Sequence, residues 1–391
     1  MGRELRYGII GAGSMGREHI VNIQVMGGGV VTALADPHQA SLDASLAMAP
    51  GAKTFSDHRA LLESGLVDAV VIATPNDTHA AVLKDVLATD IAALIEKPLA
   101  TTMDDCKAIT SWSEGRSALT WMALEYRFMP PVTEVIQRAK AGEAGKIHQV
   151  SIREHREPFY PKVDNWNRFT ERTGGTLVEK CCHYFNLMDI VVGENPVRVF
   201  ASGGQAVNHL DEKYDGKQAD MLDNAFVILE YANGARGMLD LCMFAEGTFD
   251  KEILTVVGSE GKLESFLPSQ TLKASRRENY GARTEWSSGA SKGRGNEVKH
   301  VHNYDVRVMG HHFGASYIEH MKFRDALLNS TPAEVTLNDG VTSVATGLAA
   351  HKSIREGRVV TPFNRSACLI GHHSMGEQTR QRLQRAFLGV E

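Results

Sequence analysis

The stretch Arg6-Tyr7-Gly8-Ile9-Ile10-Gly11-Ala12-Gly13-Ser14-Met15-Gly16 decides how the first third of this chain is read. Arg6 to Ile10 has the composition of a buried strand, and Ile20 and Ile23 continue the pattern at helical spacing beyond the glycines. A strand that turns through Gly-x-Gly-x-x-Gly into a helix is a dinucleotide-binding arrangement. Gly11 permits the tight turn, Gly13 lets backbone approach a pyrophosphate, and Gly16 lets helix and sheet pack closely. Ser14 and Met15 then open the helix, whose free N–H groups face the phosphates.

Working outward, Val30 to Ala35 reads as a second strand ending at Asp36, 25 residues after Gly11. A carboxylate there accepts hydrogen bonds from the adenosine ribose hydroxyls and repels a 2′-phosphate. The following Pro37, His38 and Gln39 supply no arginine to hold that phosphate, so the expected cofactor is NAD and not NADP. The alternative role for Asp36 is that of a turn or helix-capping residue. Ala69 to Ala73, Ala93 to Glu96 and Ala118 to Ala123 complete a strand series. Helical spacing in Ala40 to Ala49, Ala60 to Leu66 and Thr78 to Ala88 alternates with it, as in a parallel sheet with crossover helices. Thr74, Asn76 and His79 follow a buried strand and therefore fall at the ligand-binding edge of the sheet.

After about Leu124 strands follow one another instead of alternating with helices. Ile147 to His155, Val197 to Gly203, Ala225 to Tyr231, Arg236 to Cys242 and Glu252 to Val257 read as strands of an antiparallel or mixed sheet, with a hairpin turn at Asn233-Gly234. Arg276 to Val308 reads as a long polar loop with the character of a lid. Helical periodicity returns over Tyr317 to Asn329 and Gly340 to Glu356, and Gln378 to Phe387 has the pattern of a basic amphipathic helix. The expected architecture is α/β, with a Rossmann domain over residues 1–124. An α+β domain with an open, mainly antiparallel sheet follows over residues 125–391.

With 391 residues and 43% hydrophobic composition the chain has material for two cores. A formal charge of −5, with basic residues scattered among acids, argues against a nucleic-acid partner. No apolar run approaches the roughly 18 residues of a membrane span, and no signal peptide is evident, so a cytoplasmic location is expected. Five widely spaced cysteines make a poor disulfide framework. The adjacent Cys181, Cys182 and His183 point about 100° apart on a helix and do not converge on one ion, so no metal is expected.

The glycine loop, Thr74-Pro75-Asn76 and Glu96-Lys97-Pro98 together resemble the Gfo/Idh/MocA family of oxidoreductases, and the similarity continues through Tyr126-Arg127 to Gly174–Asp189. The resemblance implies that Lys97 meets the substrate beside the nicotinamide, where an ammonium stabilises the alkoxide-like oxygen formed during hydride loss. It also implies that the Lys97-Pro98 bond is cis and that Glu96 lies at the cofactor site. His183 matches the family's general base, and an unperturbed imidazole pKa near 6.5 suits that task. Glu179, His183 and Asn186 are spaced to share a helix face. Glu179, where relatives often carry Asp, is open to three roles: orienting His183, binding a substrate hydroxyl, or acting as an acid.

In relatives the region after the first strand of the second domain lines the substrate pocket. Tyr126, Arg127, His155, Lys162 and Trp166 are the candidates here, although alternation places Arg153 and His155 on one face and Arg156 on the other. A solvated basic edge is the competing reading. A pocket using Arg127, His155 and Lys162 would suit a carboxylated or sulfonated sugar. The expected function is NAD-dependent oxidation of a CH–OH group in a sugar, inositol or sugar acid. The alternatives are a redox-neutral NAD-dependent glycoside hydrolase and a non-enzymatic NAD-binding regulator. Pairing through the open sheet into a dimer or tetramer is the family's habit.

Overall fold

The computed structural model describes residues 4–277 and 296–363. The first sheet is built from β1 (Leu5–Ile10), β2 (Gly29–Ala35), β3 (Lys53–Phe55), β4 (Ala69–Ile72), β5 (Ala92–Glu96) and β6 (Thr120–Ala123). Their order is β3-β2-β1-β4-β5-β6 and every pairing is parallel. β4 and β5 are buried along their whole length, as strands must be when helices cover both faces. Helices α1 (Ser14–Met26), α2 (Gln39–Met48), α3 (His58–Glu63), α4 (His79–Leu87) and α5 (Met103–Trp112) supply the crossovers. The chain reverses its winding between β1 and β4, which opens a crevice at the carboxyl ends of those strands.

Helix α6 (Pro130–Lys140) then leads into β7 (Ile147–His155). The short helices α7 (Thr170–Thr173) and α8 (Thr176–Glu179) follow, and then α9 (Cys182–Val192). The remaining strands are β8 (Pro196–Gly204), β9 (Lys213–Tyr214), β10 (Lys217–Gln218), β11 (Asn224–Tyr231), β12 (Arg236–Cys242), β13 (Glu252–Gly258), β14 (Gly261–Leu267), β15 (Thr271–Arg276) and β16 (Glu297–His300). The second sheet runs β16-β15-β14-β13-β7-β12-β11-β8 and is antiparallel except for the parallel β7–β12 pair. In β11 buried and exposed residues alternate, so one face of the sheet meets the core and the other is bare. The Asn233-Gly234 turn joins β11 to β12 as expected, with Gly234 in the left-handed region.

Helices α10 (Ala315–Asn329) and α11 (Leu337–Glu356) close the fold. α10 returns to the first domain and packs along α1, with Phe323 edge-on to Trp121 at a centroid distance of 6.3 Å. α11 lies against β8, α9 and α5. The expected lid between Arg276 and Val308 is only partly a loop, because Glu297–His300 pairs with β15 as an edge strand. All four residues of that strand are exposed, so no apolar alternation marks it in sequence. Residues 278–295 and the expected tail helix Gln378 to Phe387 lie outside the described residues.

The first turn of α1 depends on two glycines. Gly11 has φ +94°, and a Cβ there would meet the backbone of Ala73 at 2.5 Å. A Cβ on Gly16 would stand 2.1 Å from the Gly11 carbonyl oxygen. Gly13 differs: its Cβ position has no atom within 4 Å. Gly16→Ala is therefore expected to lower stability by about 1–3 kcal/mol, the cost of overpacking against backbone. Gly13→Ala should melt with the parent. Equal melting temperatures for all three proteins would contradict this packing account.

Candidate active site

A cavity of about 800 Å³ occupies the crevice between the two sheets, lined by Gly11, Gly13, Ser14 and Met15 on one side and by Trp166, Glu179 and His183 on the other. Asp36 sits at the end of β2 in its wall and accepts the Ala12 and His38 N–H groups, each at 2.8 Å. The capping role and the ligand role are thus compatible, since each carboxylate oxygen keeps a free lone pair. Thr74 and Asn76 line the same wall, and the Asn76 side-chain amide donates to the Glu179 carboxylate. His79 does not reach the cavity. It is fully buried with its ring nitrogens 2.8 Å from the Pro98 carbonyl and 3.1 Å from that of Thr74, where it braces two loops.

β5 delivers Glu96 and Lys97 to the cavity floor, and the Lys97-Pro98 bond is cis. Burial works against ionising Glu96, but the hydrogen bond from His19 at 2.9 Å and the charges of His19 and Lys97 outweigh it and bring the carboxyl down to about 2. His19 in turn meets His320 of α10 at 2.7 Å. Lys97 Nζ donates to the Glu179 carbonyl at 3.0 Å and stands 3.6 Å from the carboxylate. Burial disfavours its charge, yet the neighbouring carboxylates, Glu179 first and then Glu96, push its pKa above the ordinary lysine value, so it stays an ammonium.

Glu179 and His183 do not share one continuous helix. α8 ends at Glu179 and α9 begins at Cys182, so the two side chains enter the cavity from successive helix ends. At the start of α8 the Leu177 N–H donates to His351 Nε2 of α11 at 3.1 Å, which ties that short helix to α11. Asn186, one turn further along, points away to Arg127 and Asp339. His183 also departs from an ordinary imidazole. Burial first, and then the charges of Lys97, Lys180 and Arg127, push its pKa well below 6.5, so the ring is neutral and able to accept a proton. It stacks on the Tyr126 ring with centroids 3.8 Å apart and planes 7° from parallel.

Sequence reasoning missed Glu125 and His312. Glu125 Oε1 lies 3.8 Å from His183 Nε2 and 3.2 Å from His312 Nδ1, and all three residues line the cavity. Burial, reinforced by the nearby Glu96 charge, raises the Glu125 pKa well above the carboxylate range. Burial and then the charge of Lys180 take His312 down to about 3. The wall toward the second sheet was also misassigned. Arg127 is held by Asn186, Asp339 and the Glu334 carbonyl, and His155 by Asp240 at 3.2 Å, so neither lines the cavity. Arg156 and Lys180 take their place, gathered around buried Glu154 at 3.7 and 3.0 Å, and Lys180 also donates to the Tyr126 hydroxyl. His155 sits on the opposite side of β7 from Glu154, which carries it away from the cleft. Among the described residues no cluster of His, Cys, Asp and Glu has the makings of a metal site.

Comparison with known proteins agrees with the two-domain fold. The family profile described as "Oxidoreductase family, NAD-binding Rossmann fold" matches residues 5–123, and "Oxidoreductase family, C-terminal alpha/beta domain" matches residues 137–361. Myo-inositol 2-dehydrogenase of Thermotoga maritima is 25% identical over 357 residues, covering 91% of this chain and 98% of that protein. Inositol 2-dehydrogenase of Rhizobium meliloti is 28% identical over 257 residues, 66% of this chain and 74% of that protein. In fold, the chain superposes on levoglucosan dehydrogenase, solved with NADH and levoglucosan, with a TM-score of 0.80 at 20% identity over 92% of this chain and 100% of that one.

Proposed function

Because the chain belongs to the Gfo/Idh/MocA oxidoreductase family, whose NAD-binding Rossmann fold it carries, we propose that it is an NAD-dependent dehydrogenase of a secondary alcohol in a sugar, inositol or sugar acid. One observation carries this reading: an ammonium, Lys97, and a neutral imidazole, His183, face the cavity whose other wall is the glycine loop. The open position at Gly13 and the carboxylate of Asp36 fit a dinucleotide, and Asp36 favours NAD over NADP. Bound NAD supplies the hydride acceptor.

The residues divide the remaining work. Lys97 donates a hydrogen bond to the carbinol oxygen and stabilises the negative charge that grows there as the C–H electron pair departs with its hydrogen. His183 accepts the hydroxyl proton. Glu125 stands between His183, at 3.8 Å, and His312, at 3.2 Å, whose side chain is 20% exposed. Glu179 holds Lys97 in place and offers its carboxylate to a neighbouring substrate hydroxyl. Arg156 and Lys180 would serve an acidic substituent on the substrate. Lys97→Met is expected to retain NAD affinity, read by calorimetric titration, while reducing turnover of inositols and sugars by at least about a hundredfold. Turnover near the parent level would remove Lys97 from the chemistry.

The pH dependence follows from the lowered His183 pKa. The base form of the free enzyme is present above that pKa, so kcat/KM should stay level from pH 8 through 6.5 and fall only on further acidification. A half-fall centred near 6.5 would mean that the base is an unperturbed histidine.

A redox-neutral glycosidase is the second reading, favoured by one feature. Glu125 is a buried carboxyl kept protonated, able to donate a proton to a leaving group. Release of an aryl aglycone without NADH accumulation would select it over net oxidation.

The outward face of the second sheet suits a second copy of the chain. Ile228 faces Phe200 and Met238 on the neighbouring strands, Phe226 is 62% exposed, and together they form an apolar row on bare sheet. Sedimentation equilibrium should find a dimer or tetramer, and an Ile228→Asp/Phe226→Asp chain should sediment as a smaller species. An unchanged mass would place the interface elsewhere. The unpaired Cys106, Cys181, Cys182 and Cys242 fit a reducing, cytoplasmic setting.

A further inference from the structure

The chain leaves β7 at His155 and then overhangs the cavity through Phe159, Pro161, Lys162 and Trp166. Within this overhang Lys162 crosses to the other domain, where its Nζ donates to Ser14 Oγ at 3.0 Å. Ser14 is the first residue of α1, so the ammonium rests at the mouth of the glycine loop. The setting is costly for a cation. Burial pushes the Lys162 pKa below the ordinary lysine value, and although Glu179 draws it back up, Lys97 adds repulsion. Among the described residues Lys162 forms no ion pair.

Other positive features meet at the same place. Arg17, in the next turn of α1, also lines the cavity, and its Nη1 donates to the Ala12 carbonyl at 3.3 Å. The first turn of α1 holds no acidic residue, and its N-cap, Gly13, makes no side-chain capping bond. The exposed N–H groups there form the positive end of the helix. The Lys162 ammonium, the Arg17 guanidinium and a helix N-terminus thus border the open space above Gly13, and although Glu179, Glu96 and Glu18 lie near enough to favour the Lys162 charge, among the described residues no carboxylate forms an ion pair with either side chain. A diphosphate ester supplies the missing charge, and the space is where the fold binds one.

We infer that Lys162, although carried by the second domain, is a cofactor-binding residue that reaches across the cleft to hold the NAD pyrophosphate against the glycine loop, and not the substrate-binding residue its sequence position suggested. The inference rests on the NAD-binding assignment and is independent of which alcohol is oxidised. It also gives the overhang a reason to be ordered by the cofactor, since the segment that carries Lys162 carries Trp166 in the same wall.

The test is calorimetric titration of the full chain with NAD and, separately, with adenosine, which lacks the pyrophosphate. Lys162→Met keeps the aliphatic stem and removes the charge. NAD affinity should fall about tenfold, the size of one charge-assisted hydrogen bond to phosphate, while adenosine affinity is unchanged. The loss of NAD affinity on raising salt should be shallower in the variant, and Lys162→Arg should restore most of the binding. NAD affinity within about twofold of the parent, equal losses for NAD and adenosine, or a change confined to the KM for a polyol would each overturn the inference. So would a ligand-free Lys162→Met protein that melts well below the parent, because the lysine would then serve the fold. Failure of the parent itself to bind NAD would overturn the cofactor assignment and this inference together.

Discussion

An ammonium withdrawn from water has to be surrounded by acceptors, and the arrangement around Lys97 follows from that requirement. Glu96 precedes it on β5, and Glu179 comes to it from the end of α8. Removing one member would leave a partly buried charge unbalanced, which costs more than an exposed ion pair contributes. The two domains are joined at this point, since Lys97 and Glu96 belong to the parallel sheet and Glu179 to the helices that cover the second one. Cleft geometry and lysine charge are therefore one problem with one solution.

The neighbouring groups are sorted by the same electrostatics. Two carboxyls, Glu96 and Glu125, lie in one small volume and their pKa values are driven apart: His19 and the adjacent cations keep Glu96 ionised, and burial beside that charge keeps Glu125 protonated. The cationic surroundings likewise hold His183 neutral. The cavity thus sets an ammonium at Lys97, a neutral imidazole at His183 and a carboxyl of raised pKa at Glu125 side by side, the kinds of group that the proposed oxidation of an alcohol calls for.

Local signals in the sequence were legible, and relations across the chain were not. β1, the glycine loop and α1 are contiguous, and Gly11, Gly16 and Asp36 do their work within a single β-α-β unit, so spacing alone locates them. The strands of the second sheet from β7 to β13 announce themselves by alternation, whereas β16 is an edge strand with no buried residue to mark it. Lys97, His183 and Glu179 came from a motif and line one cavity, but the break between α8 and α9 that separates the last two could not be read from helical spacing. Asn186, Arg127 and His155 failed for a related reason. Each has a polar partner far away in sequence, Asp339 or Asp240, that satisfies it away from the cleft. His79 is consumed in the same way by two backbone carbonyls. Glu125 and His312, separated by nearly half the chain, had no local pattern to connect them; only the return of the chain toward α1 at α10 sets them side by side.

A crystal structure with NAD bound tests the central claim most directly. The account predicts a nicotinamide ring in the cavity with its reactive carbon facing a space that both Lys97 Nζ and the His183 ring can reach, each about 3–4 Å from a carbinol placed there. A ring lodged elsewhere, or one whose open face meets neither side chain, would contradict it.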